Sequence, residues 1–415
     1  MMGYIKSFIY EFNNTYTVDD RVITILFSAI FLPWQLAIVI TLGVTLFLLV
    51  KTDFIATFKR VAYAKVLLLF ALYLFVVSLI NQDRMSALSS IAAAMMFVNI
   101  IHFREFIHRD LFEQLLDIAI ILSLFAVAYG IVEQFHYMSI VDGMGFFDIQ
   151  NKPIYRVHTF YNNANYYAYT ILLIEAMCVY KFFRIEDLRF RIYYIGAGMF
   201  NLFALFLTGG RIAWLALAGG VVVMLFVNRW YKLFATAIVG VGGVCGLLAL
   251  KPGLLPRLAQ RGFKIERRLQ IWRTAKLMIE DSWLLGKGPM GYLSNYASYQ
   301  EEYIATYGLK SFRQYKLGIS ANHAHSIFLE PILSYGIVGC VIICLYLVYE
   351  IKQMVALAYH KIDPTLASLL IGTLVMTFLF SLMDFPLYWV QSGYLLLLLF
   401  GSSDMYRHEL KSKRQ

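Results

Sequence analysis

Charge is what this sequence has least of. Only 15% of its 415 residues are Asp, Glu, Lys or Arg, where soluble domains average about 25%. Apolar runs take their place, recurring from Val22 to Phe400, and the mean hydropathy is +0.65. The number and length of these runs exclude an ordinary soluble protein. They favour membrane helices over a barrel, because their repeated lengths suit spans whose backbone groups are satisfied internally. Cysteine is also scarce: Cys178, Cys245, Cys340 and Cys344 all lie inside apolar runs. They read as small buried hydrophobes, which excludes a disulfide framework or a zinc site. The opening residues lack an apolar core followed by small residues, so no cleavable signal peptide is expected. The net charge of +10 invites a nucleic-acid partner. Much of it instead punctuates the apolar runs, as cytoplasmic loops do, and no nucleic acid is expected.

What is present is a series of spans. Apolar runs of about 16–25 residues give roughly twelve of them. They fall near 21–33, 35–50, 61–80, 87–102, 111–133, 161–181, 191–207, 212–228, 233–250, 325–350, 364–382 and 386–402. Pro33 divides the first pair, which would otherwise read as one long kinked helix. Lys51, Lys59 and Arg60, then Arg104 and Arg109, then Lys181, Arg184, Arg189 and Arg191 fall on one side. Arg229, Lys232, Lys352, Lys361 and the basic tail continue that side, and only Arg84, Lys152, Arg156 and Arg211 punctuate the short loops opposite. The positive-inside rule then puts both termini in the cytoplasm. The expected fold is all-α and polytopic, in three parts: 1–250 with nine spans, 251–324 as one large extracytoplasmic loop, and 325–415 with three spans and a cytoplasmic tail.

A loop that long carries function or its own structure. Within it, "IERRLQIWRTAKLMIEDSWLLGKGP" has helical periodicity. Ile265, Leu269, Trp272, Ala275 and Ile279 share one face, with Arg267, Gln270, Thr274 and Asp281 opposite. The pattern predicts an amphipathic helix suited to the membrane interface, ended by Pro289 and the glycines Gly286, Gly288 and Gly291.

Several residues are candidates for chemistry. Arg211 follows two glycines at an outer span end. It either snorkels to headgroups or stands at a helix head, where an anion would meet a guanidinium and free N–H groups. Arg267 and Arg268 suit either anionic lipid or a lipid-linked diphosphate, since the planar guanidinium can contact two phosphate oxygens at once. In "NHAHSIFLEPILSYG", His325 lies at the outer water line, where an imidazole can serve as general base or simply line a helix end. The His323–His325 pair could ligate zinc, but alternate helix positions point about 200° apart, which disfavours joint ligation unless the pair lies in a loop, and no further His/Cys/Asp cluster completes a site. We therefore expect no metal and no cofactor. Glu330 is an intramembrane carboxylate and a functional candidate on that ground; on a helix it would face His323 and not His325. "HTFYNNANYYAY", with Asn162 and Asn165, suits a hydroxyl-rich ligand or an interfacial aromatic belt equally. Arg156, just before it, joins the candidate substrate contacts.

Four segments together resemble the O-antigen ligase and polymerase (Wzy_C-type) superfamily of bacterial surface glycan assembly. They are "HTFYNNANYYA", "TGGRIAWLAL", "RRLQIWRTAKLMIEDSWLLGKGPMGY" and "HAHSIFLEPILSYGIVG", spread from His158 to Gly339. The resemblance implies a GT-C-like helical glycosyltransferase of the bacterial inner membrane, its site facing the periplasm. It implies inverting, metal-independent transfer of a glycan from undecaprenyl diphosphate to an acceptor hydroxyl. By position, Arg211 and Arg268 resemble the diphosphate-binding arginines, His325 the histidine that activates or orients the acceptor, and Glu330 the motif's acidic position. Two departures stand out: Ala164 precedes Asn165 where proline is common, and Gly210 replaces a commoner polar residue. A ligase would use a lipid A-core acceptor and a polymerase a second lipid-linked repeat; the compact size and the His-x-His motif lean towards ligase. A reading of another class, a lipid-linked sugar transporter or flippase, calls for a repeated broken-helix pattern in the two halves, which is missing.

Overall fold

The computed structural model describes residues 15–141, 145–146, 156–161, 163–250, 266–308, 322–407 and 409. Asn162 lies outside them, as do the loop cation Lys152 and the tail residues Lys411, Lys413 and Arg414. The backbone of Arg267 is described, its side chain is not.

Among the described residues every regular element is a helix. They run α1 (Val18–Ala29), α2 (Trp34–Lys51), α3 (Phe54–Arg60), α4 (Ala64–Ile80), α5 (Arg84–Phe106), α6 (Arg109–Ile140), α7 (Ala164–Arg184), α8 (Leu188–Thr208), α9 (Arg211–Val227) and α10 (Tyr231–Leu250). Then come α11 (Glu266–Ser282), α12 (Gly291–Tyr307), α13 (Leu329–Tyr359), α14 (Pro364–Ser381) and α15 (Val390–Gly401). Short side chains start many of them. Asp53, Asp83, Asn163, Asp187 and Asp363 each accept a backbone N–H of the first turn, and Thr17 and Asp20 form a reciprocal capping box on α1.

Among the described residues, six helices (α2, α5, α6, α8, α13 and α14) are long and apolar enough to cross a bilayer. The pair α3 and α4, bent by 111°, makes a seventh if counted as one broken span. Shorter or more polar helices occupy the other expected segments, and the break expected at Pro33 separates α1 from α2.

Three expectations need correction. First, the span expected from residue 325 starts only at Leu329, so both histidines stand on the turn before α13, with His325 at φ +50°. Second, α11 buries only part of the face its periodicity suggested. Ala275 is buried, and Trp272 and Ile279 pack beside it, together with Ile271 and Met278, against Tyr292 and Tyr296 of α12 and Leu333 of α13. Leu269, by contrast, is 40% exposed, and Gln270 and Thr274 of the opposite face are buried. Packing against two helices, rather than a bilayer surface, selects the buried face. Third, Arg104 is not a loop cation. It is buried in the last turn of α5, where it meets Glu350 of α13 and Asp404 of the C-terminal 3₁₀ turn at 402–406. Lys181 is likewise buried, 2.8 Å from Glu113 and 3.0 Å from Asp117.

At the end of the molecule away from Arg104, the chain leaving α11 is stapled to α13. Lys287 and Gly288 donate to the carbonyls of Leu333 and Ser334 at 2.7 and 3.0 Å. Ile337 and Val338 donate back to Trp283 and Leu284 at 2.9 and 3.2 Å. These bonds need α13 to break, and it does: Gly336 has φ 61° and ψ 179° inside the helix, a region essentially reserved for glycine. Tyr73 of α4 donates to the Leu285 and Tyr335 carbonyls at 2.8 Å, tying the staple to the bundle.

Candidate active site

The staple sets the direction of the short helical piece Leu329–Tyr335, and that piece carries the turn Asn322–Phe328. Glu330 is its strut. One oxygen accepts the Ala324 N–H at 2.5 Å, the other the Ser334 hydroxyl at 2.7 Å. Expected among the catalytic groups, Glu330 has both oxygens occupied by the protein itself. The Ser326 hydroxyl accepts from the Phe328 and Leu329 N–H groups at the helix start.

Because both histidines lie in a turn, they converge. Their ring centroids are 3.9 Å apart. They meet Asp384, a buried carboxylate on the turn between α14 and α15. Its Oδ1 accepts from His325 Nδ1 at 2.9 Å and from the Phe385 N–H at 2.8 Å. His323 Nε2 stands 3.4 Å from the same oxygen and 3.1 Å from the Tyr166 hydroxyl. Oδ2 accepts from Asn165 Nδ2 at 2.5 Å, and Asn165 Oδ1 accepts from Arg156 Nη2 at 2.7 Å. Arg156 Nε donates to the Thr208 carbonyl at 2.5 Å, at the end of α8. The chain then turns through Gly209, at φ 61°, and Gly210 into Arg211, the first residue of α9. Gly210 fits tightly here: a Cβ would lie 3.2 Å from Ala168 Cβ.

Electrostatics ties the remaining arginines to this cluster. Burial lowers the pKa of Arg156; Asp384 opposes it, and Arg211 and Arg268 push the same way as burial. Burial also lowers Arg268, again against Asp384. Arg268 Nη1 is buried with no hydrogen-bond partner among the described residues. Burial alone would raise the Asp384 carboxyl, but His325, the hydrogen bond from it, His323 and Arg268 hold it well below the ordinary carboxylate range. His323 is pushed down to about 3 by burial, with His325 and Arg268 adding to it and Asp384 opposing. The structure therefore brings Arg156, Asn165, Arg211, Arg268, His323 and His325 into one cluster around Asp384, with Glu330 directly beneath it.

The tautomers follow from the partners. His323 Nδ1 accepts the His325 N–H at 3.0 Å. Neutral His323 then carries its proton on Nε2, facing Tyr166 and Asp384. His325 gives its Nδ1 proton to Asp384, which leaves Nε2 as the nitrogen able to take a proton from a ligand. Ligand atoms of His323, His325 and Asp384 do lie within 4.8 Å of one another, so the His/Asp triple missing from the sequence reading exists in space. A cation fits it poorly, because His323 Nε2 holds a proton and the surrounding charge is that of three guanidiniums. An anion fits better: it would find the open N–H of Arg268 and the start of α9.

Sequence reasoning missed Asp384 and Trp389, and reached Tyr166 only as one tyrosine of "HTFYNNANYYAY". Asp384 had a signal, a single carboxylate between two apolar runs in "SLMDFPLYW". Trp389 had none that separates it from other interfacial aromatics.

Residues 196–344 match the family model Wzy_C, described as O-antigen ligase. The matched segment includes Arg211, Arg268, His323, His325 and Glu330, and it lies between Arg156 with Asn165 on one side and Asp384 on the other. No curated protein matches the chain.

Proposed function

We propose that this O-antigen ligase-type chain transfers a glycan from undecaprenyl diphosphate to a hydroxyl of a lipid A-core acceptor, at the periplasmic face of the bacterial inner membrane. The observation that carries the reading is the buried Nη1 of Arg268, without a hydrogen-bond partner among the described residues, beside a His325–Asp384 pair, with Arg156 and Arg211 close by. A buried cationic donor without a partner calls for an anion.

The step needs no further chemistry from the protein. His325 Nε2 takes the acceptor hydroxyl's proton while its Nδ1–H stays on Asp384. The acceptor oxygen forms the new bond to the anomeric carbon from the face opposite the leaving group. The bond from that carbon to the phosphate oxygen breaks, and its electron pair leaves on undecaprenyl diphosphate. Arg211 and Arg268 stabilise the charge that develops there. Back-side attack inverts the anomeric centre, and His325 later releases its proton to water. Arg156 and Asn165 hold Asp384 from behind, and Glu330 holds the turn.

The test is purified full-length protein in nanodiscs with lipid-linked donor and acceptor. Glycosylated acceptor and free undecaprenyl diphosphate are the expected products. His325→Ala should stay folded and lose transfer by roughly 10²–10⁴-fold. Near-normal turnover in that variant would overturn the role of His325, and binding without turnover in the parent protein would favour a transporter. In cells, loss of this protein should leave long lipid-linked polymer detached from core; single repeats attached to core would instead identify a polymerase.

A further inference from the structure

An aromatic row leaves the cluster from its histidine side. His323 Nε2 touches the Tyr166 hydroxyl, and the Tyr166 ring lies flat against Trp389, with centroids 5.2 Å apart and planes 8° from parallel. Trp389 in turn meets Trp34 edge-on, at 6.4 Å and 68°. Trp34, the first residue of α2, is 37% exposed and forms the open end of the row.

One buried side chain aligns it. Gln391 Oε1 accepts the Trp389 indole N–H at 2.9 Å, and Gln391 Nε2 donates to the Ile30 and Leu32 carbonyls, each at 2.7 Å. A single amide thus fixes Trp389 and ties it to the turn that launches Trp34. Tryptophan at a membrane boundary ordinarily keeps its N–H for headgroups or water. That of Trp389 is committed inside the protein, so what the residue offers a ligand is ring surface.

We propose that Trp34 and Trp389 form a stacking subsite for a neutral pyranose ring of the acceptor glycan; this rests on the glycosyl-transfer reading above. The C–H face of a sugar ring is weakly positive and meets the negative face of an indole, leaving the hydroxyl edge free for hydrogen bonds. None of Trp34, Tyr166, Trp389 and Gln391 is charged, which suits an uncharged ring. The acceptor is favoured over the donor by the order of the groups. Asp384 turns one oxygen to the histidines and the other towards Asn165 and Arg156. The aromatic row continues from the histidine side, where the hydroxyl losing its proton must lie.

The experiment uses full-length protein in nanodiscs, with the methyl glycosides of glucose, galactose and N-acetylglucosamine as probes of tryptophan fluorescence. At least one should give a saturable change in the parent protein that Trp34→Leu removes. With lipid-linked donor and acceptor, Trp34→Leu should raise the acceptor KM roughly tenfold without moving the donor KM, and Trp34→Tyr should recover most of the loss. The absence of any saturable change, or a change that persists in Trp34→Leu, would overturn the subsite. So would a rise in donor KM alone, which would assign the row to the polyprenyl chain. If the sugar response holds while the parent protein turns over no lipid-linked donor, the glycosyl-transfer reading falls and the sugar site stands. If transfer depends on His325 but Trp34→Leu leaves the acceptor KM unchanged, the subsite alone falls.

Discussion

His323 and His325 are two positions apart, yet their surroundings differ. His323 is buried and pushed down to about 3, from an ordinary 6.5. Its folded pKa is below its unfolded one, so acid favours the unfolded chain: stability is whole above about 6.5 and declines as pH falls towards 3. Asp384 acts in the same direction lower down. Its pKa is depressed from 3.8, so its contribution is present above about 4 and is lost as pH falls further. A thermal melt of the parent protein should therefore drop as pH goes from 7 to 4, and His323→Gln should flatten that part of the curve. At the other histidine the partner matters more than the charge. Asp384→Asn keeps the shape of the turn but removes the acceptor that fixes His325 Nδ1–H, and should lower turnover by about 10²–10⁴-fold with little change in donor KM. Arg211→Lys and Arg268→Lys keep a charge but lose the two-point fork, so both should raise donor KM; unchanged donor affinity would remove them from the diphosphate site. The types of the histidines and arginines were visible in the motifs, whereas Asp384 lay outside them. The role of Glu330 was not, because its bonds to Ala324 and Ser334 depend on where the helix starts.

At the scale of elements, the site depends on a helix that stops and restarts. Gly336 breaks α13 at a φ and ψ that other residues avoid, and a Cβ there would run into the Leu284 carbonyl. Gly336→Ala should destabilise the protein by at least about 1–3 kcal/mol. It should also displace the turn holding His323 and His325, read as a lower melting temperature together with lost transfer. An unchanged melt would show that the staple between Trp283–Gly288 and Leu333–Val338 tolerates a regular helix. Periodicity foretold α11 and its end near the glycines, but placed Gln270 and Thr274 on the polar face, where the structure buries them. Gln270 and Thr274 are buried because α12 and α13 cover them, and a one-dimensional pattern carries no record of a neighbour.

At the scale of the whole molecule, charge is arranged at two ends. Among the described residues, the cluster gathers Arg156, Arg211 and Arg268 around the single carboxylate of Asp384, which suits the anionic ligand proposed. The opposite end is paired: Arg104 with Glu350 and Asp404, Arg407 with Glu105 and Asp404, Lys181 with Glu113 and Asp117. Arg104 joins α5, α13 and the C-terminal turn, and Arg104→Ala would leave two buried carboxylates without their shared partner. It should cost about 3–5 kcal/mol, measurable as a lower melting temperature, with acceptor and donor KM unmoved in the surviving folded protein. A melt within a degree of the parent would mean that solvent reaches the network.

The sequence by itself determined that the chain is built of apolar helices, because apolar length and helix punctuation are local properties written residue by residue. It also supplied the chemical types for the site, arginines, histidines and asparagines at span ends. Tertiary structure decided which of them meet. Asp384 is 59 positions from His325 and 219 from Asn165, and a hydrogen bond across that distance exists only once helices far apart in the chain are packed side by side.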